Sequence, residues 1–142
     1  MKIEKLKQFS IFMPNKPGAL SRLTAILDDH GISILGIASE VRDDSGLVRL
    51  ALAHDAEISP LLSKAGFSSV ETQVLSVEVG DRPGQLRRVA DALAEGKINI
   101  TTVYGTSAFG AASARILIAV QNTDRAFQIL EALAAADRQA SA

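Results

Sequence analysis

The sequence predicts an α+β protein built from two copies of one βαββαβ module, each with an antiparallel sheet and its helices on one face. Three observations lead there. The stretches NKPGALSRL, Asn15 to Leu23, and DRPGQLRRV, Asp81 to Val89, read almost alike. Pro17 and Pro83 set an offset (83 − 17 = 66) that carries on without a gap, pairing Gly18 with Gly84, Leu20 with Leu86, Arg22 with Arg88, Leu27 with Leu93, Ile32 with Ile98, Ile34 with Ile100, Arg49 with Arg115 and Ala53 with Ala119. Apolar spacing inside each copy then alternates between the period of a strand and the period of a helix.

Each copy opens on a strand. Phe9, Ile11 and Met13 alternate with Ser10 and Phe12, and Val77 and Val79 alternate with Ser76 and Glu78, the pattern of a strand with one buried face. A helix follows the Pro-Gly turn: Leu20, Leu23, Ile26 and Leu27 recur at three and four residues, as do Leu86, Val89, Ala90 and Leu93. Asn15 and Asp81 stand ahead of these helices as good capping types, and Pro17 and Pro83 fall in or beside the first turn, where a missing N–H costs nothing.

Two β-branched segments come next, GISILGIASEV and KINITTVYGTS, each leading through a turn to a third strand, LVRLALAH or ASARILIAV. The first turn is Asp43 to Gly46, with Gly46 available for positive φ; Ser107 to Ala111, containing Gly110, is its weaker equivalent. DAEISPLLSKAGF and NTDRAFQILEALAAAD predict second helices. Pro60 fits only near the first turn of the former, and the latter is capped by Thr123 or Asp124 and faced by Ala126, Phe127, Leu130 and Leu133.

SSVETQVLSVEV is long enough to serve twice: Val70 to Val74 closes the first copy as its fourth strand and Leu75 to Val79 opens the second. The boundaries are therefore 1–74 and 75–142. Strand, helix, strand, strand, helix, strand is the split βαβ order of a ferredoxin-like module. The second copy should have a fourth strand from about Ala136, yet DRQASA stands there and does not read as one. That leaves a sheet edge to be covered, and Lys2 to Lys7, ahead of the first strand proper, is the candidate cover, within the chain or on a partner.

Composition narrows the function classes. The chain of 142 residues is 47% apolar and 22% charged, which suits a packed core rather than disorder. With 15 basic and 16 acidic side chains its net charge is −1, and no basic block offers a field for phosphate backbones or anionic lipid, so neither nucleic acid nor a membrane is expected as partner. Cysteine is absent, which excludes disulfides, thiolate metal sites and a cysteine nucleophile. The start, MKIEKLKQFSIFM, has no signal-peptide core and no window approaches a membrane span, so a cytoplasmic location is expected.

Few residues suggest catalysis. His30 and His54 are the only histidines and do not correspond across the repeat; His30, in a helix's last turn, suits the local dipole. Asp28 with Asp29, and Asp43 with Asp44, are adjacent acids that point apart or face solvent. No metal-ligand spacing occurs, and Gly31, Gly36, Gly105 and Gly110 are spaced as loop, strand, bulge and turn glycines rather than as a phosphate cradle. Catalytic residues, metal and cofactor are all read as none. A base-stacking sheet needs aromatics on its first and third strands; the third strands have none, and Phe9 and Phe12 read as core.

The opening turn is the distinctive feature. It joins a strand end, an oxygen-bearing side chain at Asn15 or Asp81, and a Pro-Gly pair followed by the free N–H groups of a helix start. Such N–H groups attract a carboxylate, Gly18 and Gly84 permit close approach, and Asn15 or Asp81 can accept from an ammonium group. Carboxylate at one end and ammonium at the other describes an α-amino acid. Turn and cap would look similar in a protein that binds nothing.

The segments FSIFMPNKPGALSRLTAILDDHGISILGIASE and VLSVEVGDRPGQLRRVADALAEGKINITTV resemble the ACT domain, the βαββαβ regulatory module of amino-acid biosynthetic enzymes, and the likeness covers nearly the whole chain. It resembles a stand-alone tandem ACT protein, with no catalytic domain in the sequence. The resemblance implies a ligand held at an interface between modules by the loop after the first strand, Asn15, Lys16, Pro17, Gly18, Ala19 and Leu20 in one copy and Asp81, Arg82, Pro83, Gly84, Gln85 and Leu86 in the other. It also implies a second-strand contact, Ser33 in the first copy and Asn99 in the second. The family's sensors often carry a polar residue two positions before the loop Asn, and Met13 and Val79 stand there. The expectation is an amino-acid-binding regulatory protein, not an enzyme, its two modules paired within the chain and again as a homodimer, with the second copy the favoured site if one copy binds. Docking on a separate amino-acid-metabolism enzyme is the rival reading.

Overall fold

The computed structural model describes residues 1–107 and 112–141. Ten elements follow in order: β1 (Lys2–Pro14), α1 (Ala19–Asp29), β2 (Gly36–Arg42), β3 (Ser45–Leu52), α2 (Ser59–Lys64), β4 (Ser68–Gly80), α3 (Gln85–Glu95), β5 (Ile100–Ser107), β6 (Ser113–Val120) and α4 (Thr123–Ala140). The chain divides into two compact units. One is Leu6–Thr72; the other joins Met1–Lys5 to Gln73–Ala142. The sequence boundary at 74/75 placed residues 1–5 with the first copy, and they fall in the second unit instead.

In the first unit the strands lie in the order β2-β3-β1-β4, with β1 and β3 antiparallel from Lys7↔Leu52 to Pro14↔Ser45. α1 buries Ala19, Leu23 and Leu27, four residues apart, on Phe9, Ile11, Leu50 and Leu52. Burying each of the two leucines contributes roughly 1.5–3 kcal/mol. Alternation holds at Phe12 against the expectation that it is core: it is 53% exposed, because it lies on the face away from Ile11 and Met13. α2 carries Pro60 in its first turn, as its missing N–H requires.

In the second unit the order is β5-β6-β4-β1. α3 buries Val89 and Leu93, and α4 buries Ala126, Leu130 and Ala134, on Leu75, Val77 and Ile118. The missing fourth strand is found at the opposite end of the sequence. Residues 2–5 of β1 take beside β4 the place that residues 68–72 take beside β1 in the first unit, and Ile3, 7% exposed, joins the second core. The tail after Ala136 continues α4 to Ala140.

Several local expectations are corrected. The caps of α1 and α3 are Gly18 and Gly84, not Asn15 and Asp81, and no side chain bonds to either helix start. α4 is capped one residue early, by Asn122, whose side-chain oxygen accepts from the Arg125 N–H at 3.1 Å. At the first hairpin Asp43 takes the positive φ, 54°, and Gly46 lies within β3, where a Cβ would stand 3.3 Å from the Met13 carbonyl oxygen. The bulge in β5 falls between Ile100 and Thr102 rather than at Gly105. In the expected turn 107–111, residues 108–111 with Gly110 lie outside the described residues.

The repeat also changes register. Ser10 pairs with Arg49 and its counterpart Ser76 with Leu117, so β3 and β6 correspond at an offset of 68 (117 − 49), not 66. Two extra residues in the second hairpin connection account for the shift. Arg49 and Arg115, matched in sequence, are not counterparts in space; Arg115 answers to Leu47.

Candidate functional site

Both Pro-Gly turns are tied to the hairpin of their own module. β1 ends at Pro14 and the Asn15 N–H donates to the Asp44 carbonyl at 3.0 Å; β4 ends at Gly80 and the Asp81 N–H donates to the Ala112 carbonyl at 3.1 Å. The Lys16 and Arg82 N–H groups turn back on the Pro14 and Gly80 carbonyls at 3.0 and 2.9 Å. Gly18 and Gly84 then take φ of 90° and 92°, a region that side chains disfavour, which lets the chain enter the helix in one step. No side chain caps α1 or α3, and although the Ala19 N–H turns back on the Lys16 carbonyl at 3.4 Å, the dipole and the remaining N–H groups of each first turn are open to an outside acceptor.

Each turn borders a cavity, and the two cavities have the same walls. The first, of about 140 Å³, is lined by Asn15 and Lys16 of the turn, Ala19 and Leu20 of α1, residues 39–41 of β2 and 46–48 of β3, with Met13 and Pro14. The second, of about 310 Å³, is lined by Asp81 and Arg82, Gln85 and Leu86 of α3, residues 105–107 of β5 and 114–116 of β6, with Val79 and Gly80. All twelve positions of one have their counterpart in the other, at 66 residues on the turn, the helix and the edge strand and at 68 on β3 and β6.

The chemistry of the walls differs. The Asn15 side-chain nitrogen donates to the Asp43 carbonyl at 3.2 Å, whereas the Asp81 carboxylate has no hydrogen-bond or ion-pair partner among the described residues. Glu40 is neutralised by Arg49 at 2.8 Å; Thr106 takes its place in the second cavity. Ala19 becomes Gln85, and Val41 becomes Ser107.

Of the residues singled out in sequence, Asn15, Lys16, Ala19 and Leu20 line the first cavity and Asp81, Arg82, Gln85 and Leu86 the second. Pro17, Gly18, Pro83 and Gly84 shape the turns without lining them. Ser33 and Asn99 do not reach either cavity: they are exposed in the loops before β2 and β5, not on those strands. Residues 39–41 and 105–107 were missed. Topology signals them, because the last residues of the second strand return to the sheet end where the first strand stops.

Elsewhere, His30 caps α1 with its Nδ1 at 2.8 Å from the Ile26 carbonyl oxygen, and no group of three His, Asp or Glu suited to a metal ion occurs among the described residues. The resolved titration shifts lie between α3 and α4: hydrogen bonding to Arg88 holds the Asp137 carboxyl below its ordinary value and raises the guanidinium in return. No helix among the described residues is long and apolar enough to cross a membrane.

Solved structures share this fold, among them the following three. A protein of Bacteroides thetaiotaomicron superposes with a TM-score of 0.80 at 24% identity, covering 91% of this chain and 88% of its own. The regulatory subunit of aspartate kinase from Thermus thermophilus, in a ligand-free form, gives 0.65 at 17% over 92% of this chain and 93% of its own. The corresponding subunit from Thermus flavus gives 0.60 at 16%, over 92% and 95%. No curated protein matches the chain in sequence. The ACT domain family matches twice, at residues 7–65 and 73–138, which together are most of the sequence, so the chain belongs to the ACT domain family.

Proposed function

We propose that this protein is a regulatory sensor of a free α-amino acid, bound at the Pro-Gly turn cavities. The observation that carries the reading is the recurrence of one cavity, wall for wall, at both helix starts. The ligand carboxylate sits at the uncapped first turn of α1 or α3, and its ammonium group meets the Asn15 oxygen or the Asp81 carboxylate. Small-molecule pockets usually run from about 300 Å³ upward. At about 140 and 310 Å³, and open to solvent, each cavity wants a second wall from another module. Ile37, Val41 and Val103, 45–54% exposed on the outermost strands β2 and β5, suit such pairing, including pairing with a second copy of the chain. Binding then stabilises the assembly that completes the site. The role is regulatory rather than catalytic, in the cytoplasm.

Thermal unfolding against each of the twenty amino acids tests this. A ligand at 100 times its Kd adds about 2.7 kcal/mol, roughly 8 °C in a domain of this size; no shift with any amino acid refutes the reading. Docking on a separate enzyme is the second reading, favoured by the likeness in fold and length to the regulatory subunits of the two Thermus aspartate kinases. A stable complex with an aspartate kinase catalytic chain, and no amino-acid shift, is the outcome that selects it.

A further inference from the structure

We propose that the second cavity selects an amino acid whose side chain carries its own hydrogen-bonding group, and that Gln85 is the residue that selects it. This rests on the amino-acid-binding reading above. Gln85 opens α3 with its side chain 9% exposed, one of three buried polar residues among those described. Its carboxamide makes no hydrogen bond to any described residue, yet no polar side-chain atom sealed from solvent lacks a partner among them. The amide therefore keeps its small exposure onto the space it lines, the second cavity. Nothing in the fold asks for a glutamine there, since the counterpart Ala19, equally buried, starts α1 in the same geometry.

A ligand entering this cavity displaces the water that serves the amide. An apolar side chain seals Gln85 without replacing that hydrogen bond, whereas a hydroxyl, amide or carboxylate replaces it, and leaving a buried polar group unpaired is what makes such sites discriminate. Ser107, where the first cavity has Val41, adds a second donor and acceptor to the same wall. The floor beneath, Val79 and Ile116 against Met13 and Val48, stays apolar in both copies, while Leu47 of the first cavity gives way to Arg115 in the second, so polar groups are added at the helix start, the edge strand and β6.

Titration calorimetry of the full chain with near-isosteric pairs, threonine against valine and asparagine against leucine, tests the assignment. The wild type should bind the polar member of a pair roughly tenfold or more tightly. Gln85→Ala, which copies the first cavity at the helix start and keeps a good helix former, should lower that ratio several-fold with an unchanged far-UV spectrum. A ratio that survives Gln85→Ala, or an apolar preference in the wild type, overturns the assignment and leaves amino-acid binding standing. Binding of no amino acid overturns both.

Discussion

Residues 2–5 are predicted to act as the fourth strand of the second unit, so a change at Ile3 should weaken a core made almost wholly of residues beyond 73. Ile3 is 7% exposed and clusters with Leu75, Val77, Val89 and Leu130. Truncating a buried isoleucine to alanine costs about 2–5 kcal/mol, and at the end of a strand, where the site can partly collapse, about 2–3 kcal/mol is expected. With a urea slope of about 2 kcal/mol/M, the unfolding midpoint of Ile3→Ala should fall by about 1–1.5 M. Deleting residues 1–5 should cost more, since Met1 and the Lys5 contacts to Asp124 at 2.6 Å and to the Phe127 ring at 5.0 Å go too. The chain has one tyrosine and no tryptophan, and Tyr104 lies in β5, so tyrosine fluorescence reads the second unit while far-UV dichroism reads both. Glu4→Ala, at an exposed position of the same strand, is the control and should stay within about 0.5 kcal/mol. If Ile3→Ala moves the tyrosine-detected midpoint no further than Glu4→Ala does, the strand assignment is refuted.

Two further outcomes follow from local geometry. Lys97 ends α3 with φ of 59° where its counterpart Gly31 ends α1 at 65°, so Lys97→Gly should raise stability by about 0.5–1 kcal/mol, the left-handed strain relieved less the added freedom of the unfolded chain; a lower thermal midpoint would contradict this. Asp137 has its carboxyl pKa depressed, first by the Arg88 hydrogen bond at 3.0 Å. A depressed carboxylate contributes stability that is present above its unfolded value of 3.8 and is lost as pH falls through the lower folded value. Asp137→Asn should therefore be less stable than wild type at pH 6, by a margin that narrows as the pH falls below 3.8, as urea midpoints measured across that range would show.

What was legible in the sequence is what neighbouring residues decide among themselves. The alternation of Phe9, Ile11 and Met13 and the four-residue spacing of Leu23 and Leu27 follow from strand and helix periods that any stretch carries within it. The Pro-Gly turns were equally local, and eight of the residues read from them line the two cavities. Ser33 and Asn99 were carried over from the family pattern, and in this chain the backbone reaches β2 and β5 only after them.

Cap placement illustrates the limit. Asn15 and Asp81 are good capping residues by type, but an αL glycine three positions on turns the chain before the helix starts, which leaves their side chains at the cavity rather than on the helix N–H groups. Burial of Gln85 is a second case. A polar residue at a helix start reads as surface until the edge strand and β6 close around it.

The sequence by itself determined the duplication, the strand-turn-helix of each copy and the absence of cysteine chemistry, because composition and short-range periodicity carry that information. Tertiary structure alone decided that residues 2–5 complete the second sheet, that the hairpin strands correspond at 68 rather than 66, and that residues 39–41 and 105–107 wall the cavities. The reason is physical: a strand's period says which face it buries, but which edge it joins and in what register depends on hydrogen bonds to residues far along the chain, and a two-residue change in one connection moves every partner that follows.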